Sequence, residues 1–249
     1  MSQKFSSPLQ LAKASWQQGR QHLKLLLGIS AVVGIPSTLA STYLVDPTAD
    51  SSISAYIAFA QLAMNAALIY AAIQLAKSKK VTIRQAYYQG STLLVRLVLF
   101  SFLMLLYAIP LMLGLLMLSF GVFAPGSTLT SVESLIIGGV ALLITIPGLV
   151  LLVKGMWGAF VIGEGKAGPI EALIQSHRLT KGKVRKSLAR LLALAAILAV
   201  SVAIPAGLLV ALAALTGIQA LSALVQFLVV VTVVPYSTLY LYKMYVELK

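Results

Sequence analysis

Gly163–Arg190 reads GEGKAGPIEALIQSHRLTKGKVRKSLAR and is the longest polar interruption in a chain otherwise made of apolar runs. Its first part has the marks of a helix. Pro169 follows Gly168 at a first helical position, and Ile170, Leu173, Ile174 and His177 share one face at helical spacing. Its second part, Arg178 to Arg190, holds six bases and no acid. Such a segment between two apolar runs predicts a helix lying at a membrane surface, followed by a polybasic juxtamembrane stretch.

Working outward, apolar runs long enough to cross a bilayer lie near 23–45, 53–76, 93–120, 135–162, 188–216 and 221–242. The chain has 249 residues, 59% apolar and 10% charged, with a mean hydropathy of +0.96, which excludes an ordinary soluble domain. The expected fold is all-α: one integral membrane domain of six transmembrane helices in three hairpins. Pro36, Pro110, Pro147, Pro205 and Pro235 fall inside these runs and are expected to kink the helices without ending them. There are no cysteines, so disulfides, thiolate metal sites and cysteine nucleophiles are excluded.

Charge sets the direction of threading. The first, third and fifth connections (DPTADSS at 46–52, 121–134 with Glu133, and 216–220) contain no base. All 19 Lys and Arg residues lie in the N-terminal arm, the second and fourth connections, the C-terminal tail, or the run ends beside them. The positive-inside rule therefore predicts that both termini are cytoplasmic. A rival reading takes 25–35 as a signal-peptide core with cleavage near Thr38-Leu39-Ala40. The long patterned arm before it and the apolar run beyond Pro36 argue against that. The net charge of +13 could suggest nucleic acid, but it is spread over one membrane face without a recognition motif, so no nucleic-acid partner is expected.

The surface-helix pattern occurs three times. Ser7-Pro8, Thr82-Ile83 and Gly168-Pro169 each supply a helix start. Gly19, Gly90 and Gly182 follow as candidate left-handed C-caps. Each copy then enters a run with an Ile-Pro pair: Ile35-Pro36, Ile109-Pro110 and Ile204-Pro205. The spacing predicts three short amphipathic cytoplasmic helices, each leading into a hairpin, with repeat units 7–76, 82–162 and 168–242. Apolar membrane sequence also aligns with itself readily, which leaves the repeat as one of two readings.

Two stretches, Lys79-Lys80-Val81-Thr82-Ile83-Arg84-Gln85-Ala86-Tyr87-Tyr88-Gln89-Gly90 and Glu164-Gly165-Lys166 with Gly168-Pro169-Ile170-Glu171-Ala172-Leu173, carry a resemblance. With Val234-Pro235-Tyr236-Ser237 they make the chain similar to an uncharacterised bacterial inner-membrane family. That family is related to the membrane domain preceding some glycerophosphodiester phosphodiesterases. The resemblance implies six spans in the bacterial inner membrane and no established activity. It implies no phosphodiesterase chemistry, because the catalytic domain is absent from this sequence. His177 departs from the family, which has an aromatic residue there.

Few residues are candidates for chemistry. His22 and His177 are the only histidines and lack a ligand set, and Asp46 with Asp50 read as loop caps more readily than as a cation site. No metal, cofactor or catalytic constellation is expected. Gln61 and Asn65, one turn apart in the second run, are the candidate intramembrane polar site, serving either a neighbouring helix or a solute path. Lys154 and Arg96 lie within snorkelling reach of the inner interface, and Gly155 and Gly158 are expected to bend the fourth run or pack closely. Ala195, Ala199, Ala203, Gly207 and Ala211 form a small-residue row expected to face the bundle interior. Trp16, Trp157, Tyr236, Tyr240, Tyr242 and Tyr245 are expected in an aromatic belt.

The leading expectation is a non-enzymatic scaffold or anchor. Arg178, Lys181, Lys183, Arg185, Lys186 and Arg190 would bind anionic lipid headgroups or a cytoplasmic partner, with homo-oligomerisation also open. The alternative is a carrier or pore for a lipid or small solute around Gln61 and Asn65.

Overall fold

The computed structural model describes residues 6–43, 51–121, 131–165, 167–216 and 219–249; Asp46, Asp50 and Lys166 fall outside them. The helices are α1 (Pro8–Gln21), α2 (Leu23–Tyr43), α3 (Ser51–Ala76), α4 (Ile83–Gly121) and α5 (Ser131–Gly155). They continue with α6 (Gly158–Gly163), α7 (Pro169–Thr180), α8 (Val184–Leu198), α9 (Ile204–Thr216) and α10 (Gln219–Leu248). A π-helical turn at Ala199–Ala203 joins α8 to α9. No strand occurs among the described residues. Six helical stretches are long and apolar enough to cross a membrane. Chains in lipid take this form because backbone polar groups must bond within their own segment.

The helix starts follow their local chemistry. Ser7 and Gln10 form a reciprocal capping box, with Gln10 N–H donating to Ser7 Oγ at 3.3 Å and Ser7 N–H to Gln10 Oε1 at 3.0 Å. Thr82 and Gln85 repeat it at 3.3 and 3.1 Å. Gly168 starts α7 without a side-chain cap, with Pro169 at the first position.

The expected glycine caps divide. Gly182 adopts φ +73° and ends the third copy as expected. Gly19 lies inside α1, whose cap is His22. Gly90 is interior to α4, so the second copy is not a separate surface helix but the first turns of one 39-residue rod. The reason is contact: a Cβ at Gly90 would sit 2.8 Å from Ala67 N and 2.9 Å from its Cα. Close approach to α3, whose Ala66, Ala67, Ala71 and Ala72 are buried, outweighs the usual cost of a helical glycine (~1 kcal/mol).

Pro36, Pro110, Pro147 and Pro235 are carried inside continuous helices. Pro205 is the second residue of α9, directly after the π-turn. Its ring would clash with the Ser201 carbonyl, and the wider turn relieves that clash. The fourth run breaks at Met156-Trp157, between Gly155 and Gly158. Met104 Sδ lies 2.6 Å from a Cβ built on Gly155, and Phe100 lies 2.5 Å from one on Gly158.

The core sits at the end of the molecule that carries both termini. Leu68, Ala71 and Ile73 of α3, Trp157 and Ile162 around α6, and Leu239, Tyr240 and Met244 of α10 are all buried there. Two sequence expectations are corrected by this packing. Trp157, Tyr240, Tyr242 and Tyr245 are at most 5% exposed, so they are core residues and not a lipid-facing belt; of the six aromatics, only Trp16 is strongly exposed. Phe160, Tyr242 and Tyr245 stack at 5.6–6.0 Å between centroids. The row Ala195, Ala199, Ala203, Gly207 and Ala211 is exposed throughout and does not face the interior. The span from α8 to α9 is the least buried of the six, and its packed side carries Ser187, Arg190, Leu194 and Ala213 instead.

Candidate functional site

The termini-bearing end is built around Arg190. About two turns into α8, this side chain is 5% exposed. Its Nη1 pairs with Glu247 Oε2 of α10 at 2.7 Å, and its Nη2 donates to the Ser6 carbonyl before α1. The Ser6 hydroxyl donates to the other oxygen of Glu247. Tyr240 O–H donates to the Arg190 carbonyl at 3.2 Å, and Lys183 Nζ donates to the Leu248 carbonyl at 2.8 Å. Lys249 pairs with Glu164 at 2.7 Å. Arg190, which the sequence places among the surface bases, is therefore a buried strut that ties α1, α8 and α10 together. Glu247, 57 residues further on, is the partner that charge counting along the chain could not supply.

The other bases separate by exposure. Arg178, Lys181, Arg185 and Lys186 are exposed on either side of the Gly182 turn, and Lys183 is half-buried. Glu171, the acid of α7, lies 3.3 Å from Gln175 Nε2. Exposed bases thus outnumber exposed acids over the α7–α8 turn.

Beneath that surface α7 is pinned to α5. Ser176 donates to the Lys154 carbonyl and, at 3.0 Å, to the Gly155 carbonyl, which the helix break leaves without a regular partner. His177 meets Tyr107 edge-on at 5.6 Å. Burial first, and the Lys154 charge second, hold its imidazole below the ordinary titration range. Its Nε2 is enclosed without a hydrogen-bond partner among the described residues. A cleft of about 480 Å³ opens beside it, with Ile170, Leu173 and Ile174 forming the apolar side and Arg178 and Lys181 the rim. No group of three His, Asp or Glu side chains converges among the described residues.

Gln61 and Asn65 are not brought together on an interior path. Both are exposed on the outer side of α3, while Met64, Ala67 and Leu68 face the core. Gln61 borders a recess of about 240 Å³ between α2, α3 and α10. There Ser41 O–H donates to Gln226 Oε1 at 3.5 Å, a pairing across 185 residues that no local motif marks. Lys154 is half-buried and Arg96 exposed, in keeping with side chains that reach toward an interface.

A second groove, of about 620 Å³, runs between α1 and the span formed by α8 and α9, with α10 behind it. Lys13, Trp16 and Arg20 line its rim and Leu26, Val231 and Leu239 lie within it. Fold and surface together define a multi-pass helical membrane protein with its charge gathered at one end. No protein-family model, curated protein or solved structure matches the chain.

Proposed function

We propose that the chain is a non-enzymatic scaffold or anchor of the bacterial inner membrane, related to the six-span family that its motifs resemble. Its six spans form three hairpins with both termini in the cytoplasm. Surface helices α1 and α7, and the first turns of α4, lead into them as a threefold repeat. The function is recognition of anionic lipid headgroups by the cytoplasmic face, through Arg178, Lys181, Arg185 and Lys186, with Lys183 beside them.

The observation that carries this reading is the division of charge at that face. Arg190 is buried against Glu247, while Arg178, Lys181, Arg185 and Lys186 lie exposed around one turn. Each base near an anionic surface contributes about 1 kcal/mol, less where salt screens it. The shared positions of the helix starts favour the repeat. Counting from Ser7, Thr82 and Gly168, the fourth position is buried in every copy (Leu11, Ala86, Ala172), and so is the eighth (Ser15, Gly90, Ser176).

The carrier alternative is less favoured. Asn65 lies on the outer side of α3 and does not line the recess beside Gln61, which is only about 240 Å³. The deciding experiment replaces Arg178, Lys181, Arg185 and Lys186 by Gln in the full chain and measures phosphatidylglycerol retained through detergent exchange. Retention should fall in the variant. Retention equal to that of the parent, with no change in any co-purifying partner, sinks the proposal.

A further inference from the structure

We propose that the groove between α1 and the α8–α9 span is a binding site for a single anionic glycerophospholipid. The phosphate lies between Lys13 and Arg20, and an acyl chain runs down the groove. This site lies apart from the Arg178–Lys186 surface and uses none of its residues.

The argument begins with α1. Leu9, Lys13, Trp16 and Arg20 are spaced by four, three and four residues, which places them on one helix face, and all four are exposed. That exposed face also forms one wall of the 620 Å³ groove. The volume falls in the ~300–1,000 Å³ range of small-molecule sites. Two cations stand on the rim and no acid lines the groove, so the site is complementary to an anion.

The interior is suited to hydrocarbon. Leu26, Val231 and Leu239 are buried at the base, and Leu198 with Val202 form the far wall at the π-turn. The three hydroxyls lining it are already engaged: Ser201 donates to the Ile197 carbonyl, Thr232 to the Leu228 carbonyl at 2.6 Å, and Tyr236 to the Ala12 carbonyl of α1 at 3.4 Å. A water-filled polar ligand would find few partners there. Trp16 marks the boundary between the two parts, 57% exposed and edge-on to Tyr236 at 6.2 Å, the position an indole takes at a membrane–water interface.

A second observation is that α7 carries part of the same arrangement, with Ile174 where α1 has Lys13. Counted from the N-caps Ser7 and Gly168, Leu9 matches Ile170, Ala12 matches Leu173, and Arg20 matches Lys181. Trp16 matches His177, and each of these rings meets a tyrosine edge-on, Tyr236 or Tyr107. Each helix borders an apolar cleft with cations at its lip; the one beside α7 is the smaller.

Trp16 supplies the readout. Of the two tryptophans, Trp157 is fully buried. The full chain is placed in phosphatidylcholine nanodiscs, and phosphatidylglycerol with brominated acyl chains is titrated in while tryptophan emission is followed. Trp16→Phe identifies the Trp16 share. Quenching of Trp16 should saturate at low mole fraction, with brominated phosphatidylcholine needing about tenfold more. Lys13→Gln with Arg20→Gln should remove that preference. Val202→Phe, which narrows the slot and leaves both cations, should weaken saturable quenching by both lipids.

Unbrominated phosphatidylglycerol should protect Trp16, and soluble glycerol phosphate should not. Gln at Arg178, Lys181, Arg185 and Lys186 should leave the titration unchanged, so failure of the surface proposal and failure of this one are distinguishable. Non-saturating quenching, equal quenching by both lipids, persistence of the preference without Lys13 and Arg20, or protection by glycerol phosphate alone would each overturn it. So would a dimer in which a second copy shields Trp16 from every lipid.

Discussion

The end that carries the termini and the end opposite are held together differently. At the first, α1, α3, α6, α7, α8 and α10 meet around buried aromatics and the Arg190–Glu247 pair. Toward the other, packing resolves into smaller groups: α4 with α5, α2 with α3 and α10, and α9 with α10. There Gly114 fits against Thr145 and Gly148 against Leu111. Lipid tails are as apolar as leucine, so inside the bilayer helices gain from close fit and polar pairing more than from burial itself. Near water the hydrophobic effect and charge pairing add to this, and the multi-helix assembly forms where all of them act.

This contrast is broken most forcefully at Arg190. Arg190→Gln leaves Glu247 without its cation at a partly buried position, and the expected loss is at most about 3–5 kcal/mol, read as a lowered thermal unfolding midpoint in detergent. Glu247→Gln added to it should cost much less than the two single changes summed. Full additivity would mean that the pair does not hold this end together.

A steric test comes next. Gly90→Val drives a side chain into the α3 backbone, with an expected cost of roughly 1–3 kcal/mol by overpacking. Separation of α3 from α4, followed by cysteines placed on the two helices and cross-linked, would report it. An unchanged midpoint would mean that α4 does not lie this close to α3.

A smaller effect sharpens the comparison by pH. Burial and Lys154 make His177 harder to protonate in the folded chain. An unfolded imidazole titrates near 6.5, so below that value the unfolded state takes up a proton the folded state resists. The contribution is complete above the ordinary value and declines as pH falls below about 6.5. His177→Phe keeps the edge contact with Tyr107 and should flatten the decline in unfolding midpoint over that range. An identical slope in parent and variant would rule this source out.

The smallest change should have the opposite sign. Nothing lies within 4 Å of a Cβ built on Gly207, so Gly207→Ala adds helix propensity without a clash. A gain of roughly 0.5–1 kcal/mol is expected in the unfolding midpoint. A loss would reveal a neighbour seated on the α9 face.

What could be read from the sequence follows from range. Hydropathy over twenty residues locates six spans, and the capping residues Ser7, Thr82 and Pro169 locate helix starts, because both are local properties. Gly155 and Gly158 correctly mark a bend for the same reason. Choices between faces are not local. Ala66 and Ala67 make the close small-residue contact, while the more regular small-residue row from 195 to 211 is exposed, and only the position of Gly90 on a different helix distinguishes them. Arg190 belongs to the basic stretch by composition and to the core by virtue of Glu247. Of the α1 groove, the rim residues were visible as charges and an aromatic, but the opposite wall comes from residues almost two hundred positions away.

The π-turn at Ala199–Ala203 bears on that last distance. A regular helix advances 100° per residue, and a turn that takes in one more residue rotates everything beyond it by about that angle. Ala195 and Gly207, twelve positions and so about 120° apart on a regular wheel, are brought by the extra residue to within roughly 20° of one line down the span. Deleting Val200 would restore the regular winding and swing α9 by roughly a quarter revolution against α10. Heptad counting through this segment gives a false register, and the turn works as a fixed gear between two rods of one helix.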